Sequence, residues 1–391
     1  MGQLPPLSHQ ESERVKNLTQ CIKKEIDQKG RISFHDFMQQ ALYAPSLGYY
    51  SANKYKFAEK GDFVTAPLIS PLFTYTFANV FANILKGSDL ENASIIEFGA
   101  GTGQFAEDCL LMLSKLNALP KSYIIIDTSP DLVNLQKKRL KKALPEYYSS
   151  ILWCHEIPNT VSNAIVFANE VLDAMPVELF KYENNEFSQQ MVGYDGEEFM
   201  LIDNKVIDQR LEKALSKTGI LSAKPDYYLS EVNLWIEPWL STIKDALDKC
   251  IVFICDYGYH REMYYQLARR EGTLRCYYKH HVHDNPLINV GVQDITAHVD
   301  FTAVAEAALN NGFDLEGYGQ QNQFLLSAGI LDCYQALLKK ASGRQKNTLT
   351  EGLKKLTLGA DFSEVFKVMI LSLSYDGEVD LFGRADLSYL L

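Results

Sequence analysis

Apolar positions along the chain change their period part-way. From Ser12 to Gln28 they recur at Val15, Leu18, Ile22 and Ile26, steps of three and four that predict an amphipathic helix closed by Gly30. Ser33, with Asp36 three positions on and Phe34, Phe37, Met38 and Leu42 behind it, predicts a second, capped helix. A turn-rich run at 43–50 follows, and Val64 to Pro67 lead into a helix ending near Leu85. From Ser94 short β-branched runs alternate with helical patterns, as in a parallel α/β sheet. The runs at 94–98, 123–126, 151–154, 164–168 and 251–255 are almost continuously apolar, which suits strands covered on both faces. Between the last two, runs at 187–194 and 198–202 flank Asp195-Gly196, a hairpin signal. A helix at 235–250 then precedes the fifth strand. Beyond Tyr257 the pattern predicts a helix, a strand near 273–278, a loop rich in His, Asp and Pro, a helix at 301–311 and a strand near 323–327. Helices at 330–341, 347–358 and 362–369 close the chain. The predicted organisation is an N-terminal helical segment at 1–60, an α/β core at 61–177 and 228–330, a β-rich insertion at 178–227 and a helical C-terminal segment at 331–391.

Composition narrows the function classes. At 391 residues, 47% hydrophobic and 22% charged, the chain is globular rather than disordered or fibrous. Its net charge of −11 opposes binding to bare phosphate backbones, so nucleic acid is not an expected partner. The 22 Tyr and 20 Phe point to a large core or to ring-lined pockets. Seven scattered cysteines without a Cys-x-x-Cys pair indicate neither a disulfide frame nor a zinc ribbon. With no apolar run of membrane-spanning length and no signal or transit pattern at the start, the expected location is the cytoplasm. Oligomeric state leaves no trace in the sequence.

The strongest chemical signal is Glu97-Phe98-Gly99-Ala100-Gly101-Thr102-Gly103, at the end of the first strand and ahead of a helical run from Phe105 to Leu116. Alternating glycines let a backbone turn tightly and approach a ligand, and the helix start offers free amides to an anionic group. Asp127 ends the second strand, where a carboxylate can accept from both hydroxyls of a ribose. Together these features describe a nucleoside ligand. The dinucleotide fingerprint Gly-x-Gly-x-x-Gly is not met, because Gln104 stands at its third glycine. The form present, Gly-x-Gly-x-Gly with Glu97 two residues ahead, resembles motif one of class I S-adenosylmethionine-dependent methyltransferases.

Further segments are similar to the MidA family of such enzymes. They are Gly61 to Pro67 (GDFVTAP), Tyr123 to Gln136 (YIIIDTSPDLVNLQ), Ala168 to Pro176 (ANEVLDAMP), Asp256-Tyr257-Gly258, and Gly272 to Phe301 with its GTLRCYYKHHVHDNP and GVQDITAHVDF runs. The resemblance extends from about residue 33 to about residue 370. It implies an α/β fold with a Rossmann-like class I methyltransferase sheet and S-adenosyl-L-methionine as cofactor. The cofactor would be held by Glu97, Gly99, Ala100, Gly101, Gly103, Asp127 and Ser129. On the family block alone, Asp62 and Thr65 would close over its methionine end. It also implies a protein arginine as methyl acceptor, on a respiratory complex I subunit in the family's mitochondrial member. A small-molecule acceptor, or a cofactor-binding assembly factor acting by protein binding, are the alternative readings.

Methyl transfer from a sulfonium is an in-line displacement, so the protein chiefly positions the acceptor and stabilises developing charge. An arginine acceptor is protonated at neutral pH and calls for carboxylates that bind it and help its proton leave. Glu170 and Asp173, just past the fourth strand, have the spacing to form such a pair if a helical turn follows Asn169. The bland alternative caps the turn with Asp173 and leaves Glu170 to solvent. Asn169 could contact the cofactor, Asp256 either faces the same crevice or serves a turn, and His155 either meets adenine or is structural. His280, His281, His283, Asp284, Asp294, His298 and Asp300 carry metal-ligating groups, but the spacing fits no metal motif and the reaction needs none. Substrate contact or a hydrogen-bonded loop fits them better.

Overall fold

The apolar runs assemble into one sheet. We label its strands in chain order: β1 Ser94–Phe98, β2 Tyr123–Ile126, β3 Ile151–Cys154, β4 Asn163–Asn169, β5 Lys249–Tyr259, β6 Asp314–Gln320 and β7 Phe366–Leu373. The computed structural model describes residues 4–51, 65–87, 90, 92–359, 365–377 and 379–391. Strand order is β3-β2-β1-β4-β5-β7-β6. The five strands from β3 to β5 run parallel, whereas β7 is antiparallel to both β5 and β6. Because the parallel strands share one direction, the carboxyl ends of β1, β2, β4 and β5 line a single edge. That edge is where ligands bind in open α/β sheets.

By its contacts the chain divides into two units. The sheet belongs to the unit made of Val64–Val171, Trp239–Gly258 and Phe301–Leu391. Its core is phenylalanine-rich. Helix Pro71–Lys86, started by Pro71 with the Ser70 hydroxyl accepting from Leu72 N, buries Phe73, Phe77 and Phe81. Phe77 meets Phe167 of β4 at 5.1 Å and Phe324 at 4.8 Å, and Phe105 stacks on Phe167 at 4.1 Å. Such ring pairs add about 0.5–1.5 kcal/mol each beyond the area they bury. Much of the aromatic allotment is thereby explained as core.

The second unit, made of Met1–Phe63, Leu172–Pro238 and Tyr259–Asp300, is built on antiparallel strands. Strand Glu186–Tyr194 carries Phe199–Asn204 along one edge, and Glu178–Glu183 and Ile32–Ser33 along the other; Tyr227–Val232 pairs outside Glu178–Glu183. The predicted hairpin turn is present: Asp195 Oδ1 accepts from the amides of Glu197 and Glu198, and Gly196 takes φ 110°. A smaller sheet orders His281–His283, Arg275–Tyr278 and Asp294–Thr296. Helix His9–Lys29 starts on a capping box between Ser8 and Glu11, and Ser33 caps helix Phe34–Tyr43 through Asp36 N, as its spacing predicts.

Two elements near the chain end differ from expectation. The segment at 323–327 is helical, within Gln321–Ser327, and the strand lies just upstream as β6. Gly317 and Gly319 disguise β6 because they leave room for the Phe382 ring, which an added Cβ would meet at 2.7 and 2.8 Å. The helix expected at 362–369 is strand β7 from Phe366 onward. A short apolar run with no polar face fits a buried helix or a buried strand equally, and here pairing with β5 and β6 decides. The C-terminal segment expected to be helical therefore supplies an inner strand of the sheet.

Candidate functional site

The loop after β1 is held from below. Gly99 N donates to Ile126 O at 3.0 Å, and Gly103 N to Ala100 O at 2.8 Å, which closes the turn into helix Gln104–Lys115. Gly99, Gly101 and Gly103 have φ of 63°, 51° and 77°, the left-handed region that favours glycine. Gly101 differs from its neighbours in having open space: a Cβ there would meet nothing within 4 Å, whereas at Gly99 it would meet Val171 at 3.3 Å and at Gly103 Gln136 at 3.4 Å. The loop thus presents an uncovered strip of backbone, and Ala100 in it is buried. Glu97 sits one layer deeper. It is buried, its Oε2 accepts from Tyr123 Oη at 2.7 Å, and burial, with the nearby Asp127 adding to it, pushes its carboxyl up to about 8 against the opposing Tyr123 bond.

Asp127, 9% exposed, is fixed at both oxygens: Ser129 N donates to Oδ1 at 2.9 Å, and Gln136 Nε2 to Oδ2 at 2.8 Å. Burial raises its carboxyl from the ordinary value, while those bonds and the nearby His155 oppose the rise. Each carboxylate oxygen keeps acceptor capacity beyond these bonds, as a vicinal diol requires. Ser129 supplies its amide to Asp127 and its hydroxyl as cap to helix Pro130–Ala143, accepting from Leu132 N at 3.4 Å. Sequence reasoning passed over Gln136. Its signal was a lone amide in the apolar stripe Leu132, Gln136, Leu140, all three buried.

At the end of β4, Asn169 Nδ2 donates to Glu170 Oε1 at 3.2 Å, while Asn169 Oδ1 is buried and has no hydrogen-bond partner among the described residues. Glu170 stands at φ 53°, with its amide donating to Cys255 O of β5 at 2.8 Å. Non-glycine residues rarely adopt this conformation, and where they do it gathers at functional sites. Asp256, on β5, is fully buried and accepts from Tyr257 N at 2.9 Å.

The remaining predicted residues fall elsewhere. Asp62 lies outside the described residues. Thr65 starts the short helix Ala66–Ile69 without a side-chain capping bond. Between Val171 and Leu172 the chain passes into the second unit, which holds Asp173, buried, its carbonyl accepting from Ala297 N at 2.9 Å. The histidine and aspartate run lies in that unit too, where Asp300 pairs with Arg261 at 3.2 Å and His283 Nδ1 accepts from Asn285 N at 3.3 Å. Among the described residues no group of three or more His, Cys, Asp or Glu is placed to hold one metal ion.

Comparison with known proteins agrees with this geometry. A solved protein of Burkholderia thailandensis, crystallised with S-adenosyl-homocysteine, is 33% identical over the whole of both chains, with a TM-score of 0.90. A native structure of a protein from that organism gives 33% and 0.89 over the same span. The mitochondrial protein arginine methyltransferase NDUFAF7 homolog of Caenorhabditis elegans is 26% identical over 381 residues, 90% of this chain and 86% of that one. Human mitochondrial NDUFAF7 is 26% identical over 349 residues, 81% of this chain and 74% of that one. These relatives overturn one expectation: they are named mitochondrial, so the cytoplasmic location expected from the sequence does not stand. No described helix is long and apolar enough to cross a membrane. Residues 76–319 match the model of a family of S-adenosyl-L-methionine-dependent methyltransferases, and the chain belongs to that family.

Proposed function

We propose that this methyltransferase transfers its methyl group to an arginine side chain of a protein. The cofactor supplies an electrophilic methyl on a sulfonium. Gly99, Ala100, Gly101 and Gly103 would hold its amino-acid end by backbone contact, and Asp127 its ribose. Ser129 supports Asp127, Glu97 would stiffen the sheet beneath, and His155, near Asp127, would meet the base. Asp62 and Thr65 keep the role the family block suggests, closing over the methionine end.

The observation that carries the arginine reading is the end of β4. The side-chain oxygen of Asn169 is buried with no donor among the described residues, beside a Glu170 held in left-handed backbone. An open amide oxygen beside a carboxylate fits a ligand rich in N–H groups, and a guanidinium presents five. Glu170 would orient one nitrogen and favour loss of its proton, while Asn169 Oδ1 accepts from the acceptor or from the cofactor's ammonium. For Asp173 the acceptor role stands on its residue type and its sequence block alone. The relatives named protein arginine methyltransferases support the same reading, and a respiratory complex subunit is the partner the family suggests.

The test is transfer of labelled methyl from S-adenosyl-L-methionine into a cell extract, followed by mass spectrometry of proteins and metabolites. Label on protein arginine, absent with the Gly101→Val protein, is the expected result. Label confined to metabolites would refute the acceptor. Loss of arginine methylation in cells, restored by a variant that binds no cofactor, would refute the enzymatic reading.

A further inference from the structure

Gln136 is fully buried on the inner face of helix Pro130–Ala143, and its amide group meets three separate pieces of the sheet edge. Nε2 lies 2.9 Å from Gly101 O in the glycine loop and 2.8 Å from Asp127 Oδ2 at the end of β2. Oε1 lies 3.1 Å from Trp153 Nε1 on β3. The orientation is chemically unambiguous. An indole nitrogen only donates, so the amide oxygen must face Trp153, and the two hydrogens of the amide nitrogen then fall to the two acceptors. One planar group therefore fixes the height of the loop and the rotation of the Asp127 carboxylate relative to a strand two places away.

We propose that Gln136 is a positioning residue of the cofactor site, presetting Asp127 and the Gly101 carbonyl for the nucleoside, with Trp153 setting the rotation of its amide. The inference rests on placing the ribose at Asp127, as proposed above. Gln136 turns the Gly101 carbonyl inward, so the exposed side of the loop stays bare where a Cβ at Gly101 would meet nothing. It occupies one acceptor position of Asp127 Oδ2, as Ser129 N does on Oδ1, leaving the others to a diol.

The experiment is calorimetric titration of the full-length protein with S-adenosyl-homocysteine at pH 6 and pH 8. Gln136→Met keeps the length and apolar packing but has no donors, and is expected to weaken binding by about 10- to 100-fold. Gln136→Glu keeps the acceptor for Trp153 but sets a second carboxyl against Asp127, which also faces Glu97 and His155. It is expected to bind weakest at pH 8 and to recover part of the loss at pH 6, relative to wild type, as the pair takes up a proton. A role in packing alone would instead lower the melting temperature of Gln136→Met in step with its affinity, whereas a positioning role loses affinity at little cost in melting temperature. If neither variant folds, Trp153→Phe removes the indole donor while keeping an aromatic ring, and is expected to weaken binding by roughly 3- to 10-fold. In nuclear magnetic resonance spectra of wild type, the Trp153 indole N–H should shift when S-adenosyl-homocysteine is added. Affinity within twofold of wild type in the folded Gln136 variants, or in Trp153→Phe if they do not fold, would overturn the role. Asp127→Ala separates the two readings: unchanged binding there would refute the ribose placement, whereas lost binding there with intact Gln136 variants would refute only the positioning role.

Discussion

The ends of β1 and β2 and the ends of β4 and β5 lie on the same edge of one sheet, yet they are finished differently. At the first, the protein meets its own polar groups: Asp127 is held at both oxygens, Gln136 by three hydrogen bonds through its two amide atoms, and Glu97 by Tyr123. At the second, Asn169 Oδ1 is buried without a donor among the described residues and Glu170 holds left-handed backbone. The difference fits the two tasks proposed above. A cofactor that is the same at every turnover rewards a preset cradle, whereas an acceptor that arrives with its own donors leaves a neighbouring oxygen to be satisfied by the substrate.

Substitutions can break the comparison, and the largest effect is expected at the acceptor end. Glu170→Gln should leave S-adenosyl-homocysteine binding within about twofold while slowing methyl transfer by roughly 10²–10⁴-fold, the usual range for a lost general base. Unchanged single-turnover rates would remove Glu170 from the chemistry. At the cradle, Gly101→Val should abolish binding at concentrations on the order of 100 times the wild-type Kd. Its Cβ would meet nothing within 4 Å, so the fold is expected to lose mainly the ~1–2 kcal/mol of a branched residue in left-handed backbone. A folded variant that still binds would mean the loop faces no ligand.

A pH series sharpens the cradle's interior. Burial raises the Glu97 carboxyl from 4.5 to about 8, so the folded protein retains a proton that the unfolded chain releases. The stability this contributes is complete below about pH 4.5 and is lost as pH rises through about 8. Glu97→Gln should flatten that loss, making the variant more stable than wild type at pH 8.5 by a few kcal/mol. Melting temperatures at pH 5 and 8.5 decide it, and parallel curves for the two proteins would contradict the assignment.

Smaller effects probe strain and the outer rim. Glu170→Gly should raise stability by about 1 kcal/mol while losing transfer, because glycine tolerates φ 53° without penalty. Denaturant midpoints would show it. Arg139, one helical turn beyond Gln136, bonds Glu107 at 2.6 Å, the Thr102 carbonyl at 3.4 Å and Gln104. Its side chain is about a third exposed, so Arg139→Met should cost under about 1 kcal/mol and alter affinity less than threefold. A larger loss would move the brace of the loop outward from Gln136.

The same contrast explains what could be read in advance. The runs that became β1 to β5 were legible because strands covered on both faces are apolar throughout. The glycine loop and Asp127 were legible because their chemistry is local in sequence. Strands β6 and β7 were hidden, one by glycines that make room for Phe382 and the other by an apolar run with no period of its own. Gln136 was hidden because a polar residue in an apolar stripe is visible only once its partners, drawn from three strands' ends, are known. Neither the unsatisfied oxygen of Asn169 nor the dihedral angle of Glu170 leaves any mark on composition or spacing.

The discontinuity of the units bears on how the chain is made. Strand β5 lies between β4 and β7, and β7 spans Phe366–Leu373, long after β5 in the chain. During synthesis β5 can pair with β4 as soon as both have left the ribosome, but its other flank stays an open row of amides and carbonyls until β7 emerges. Such a flank invites pairing with other nascent chains. This enzyme should therefore depend on chaperones late in translation, and a stop codon placed just before Phe366 should yield aggregate rather than a smaller methyltransferase.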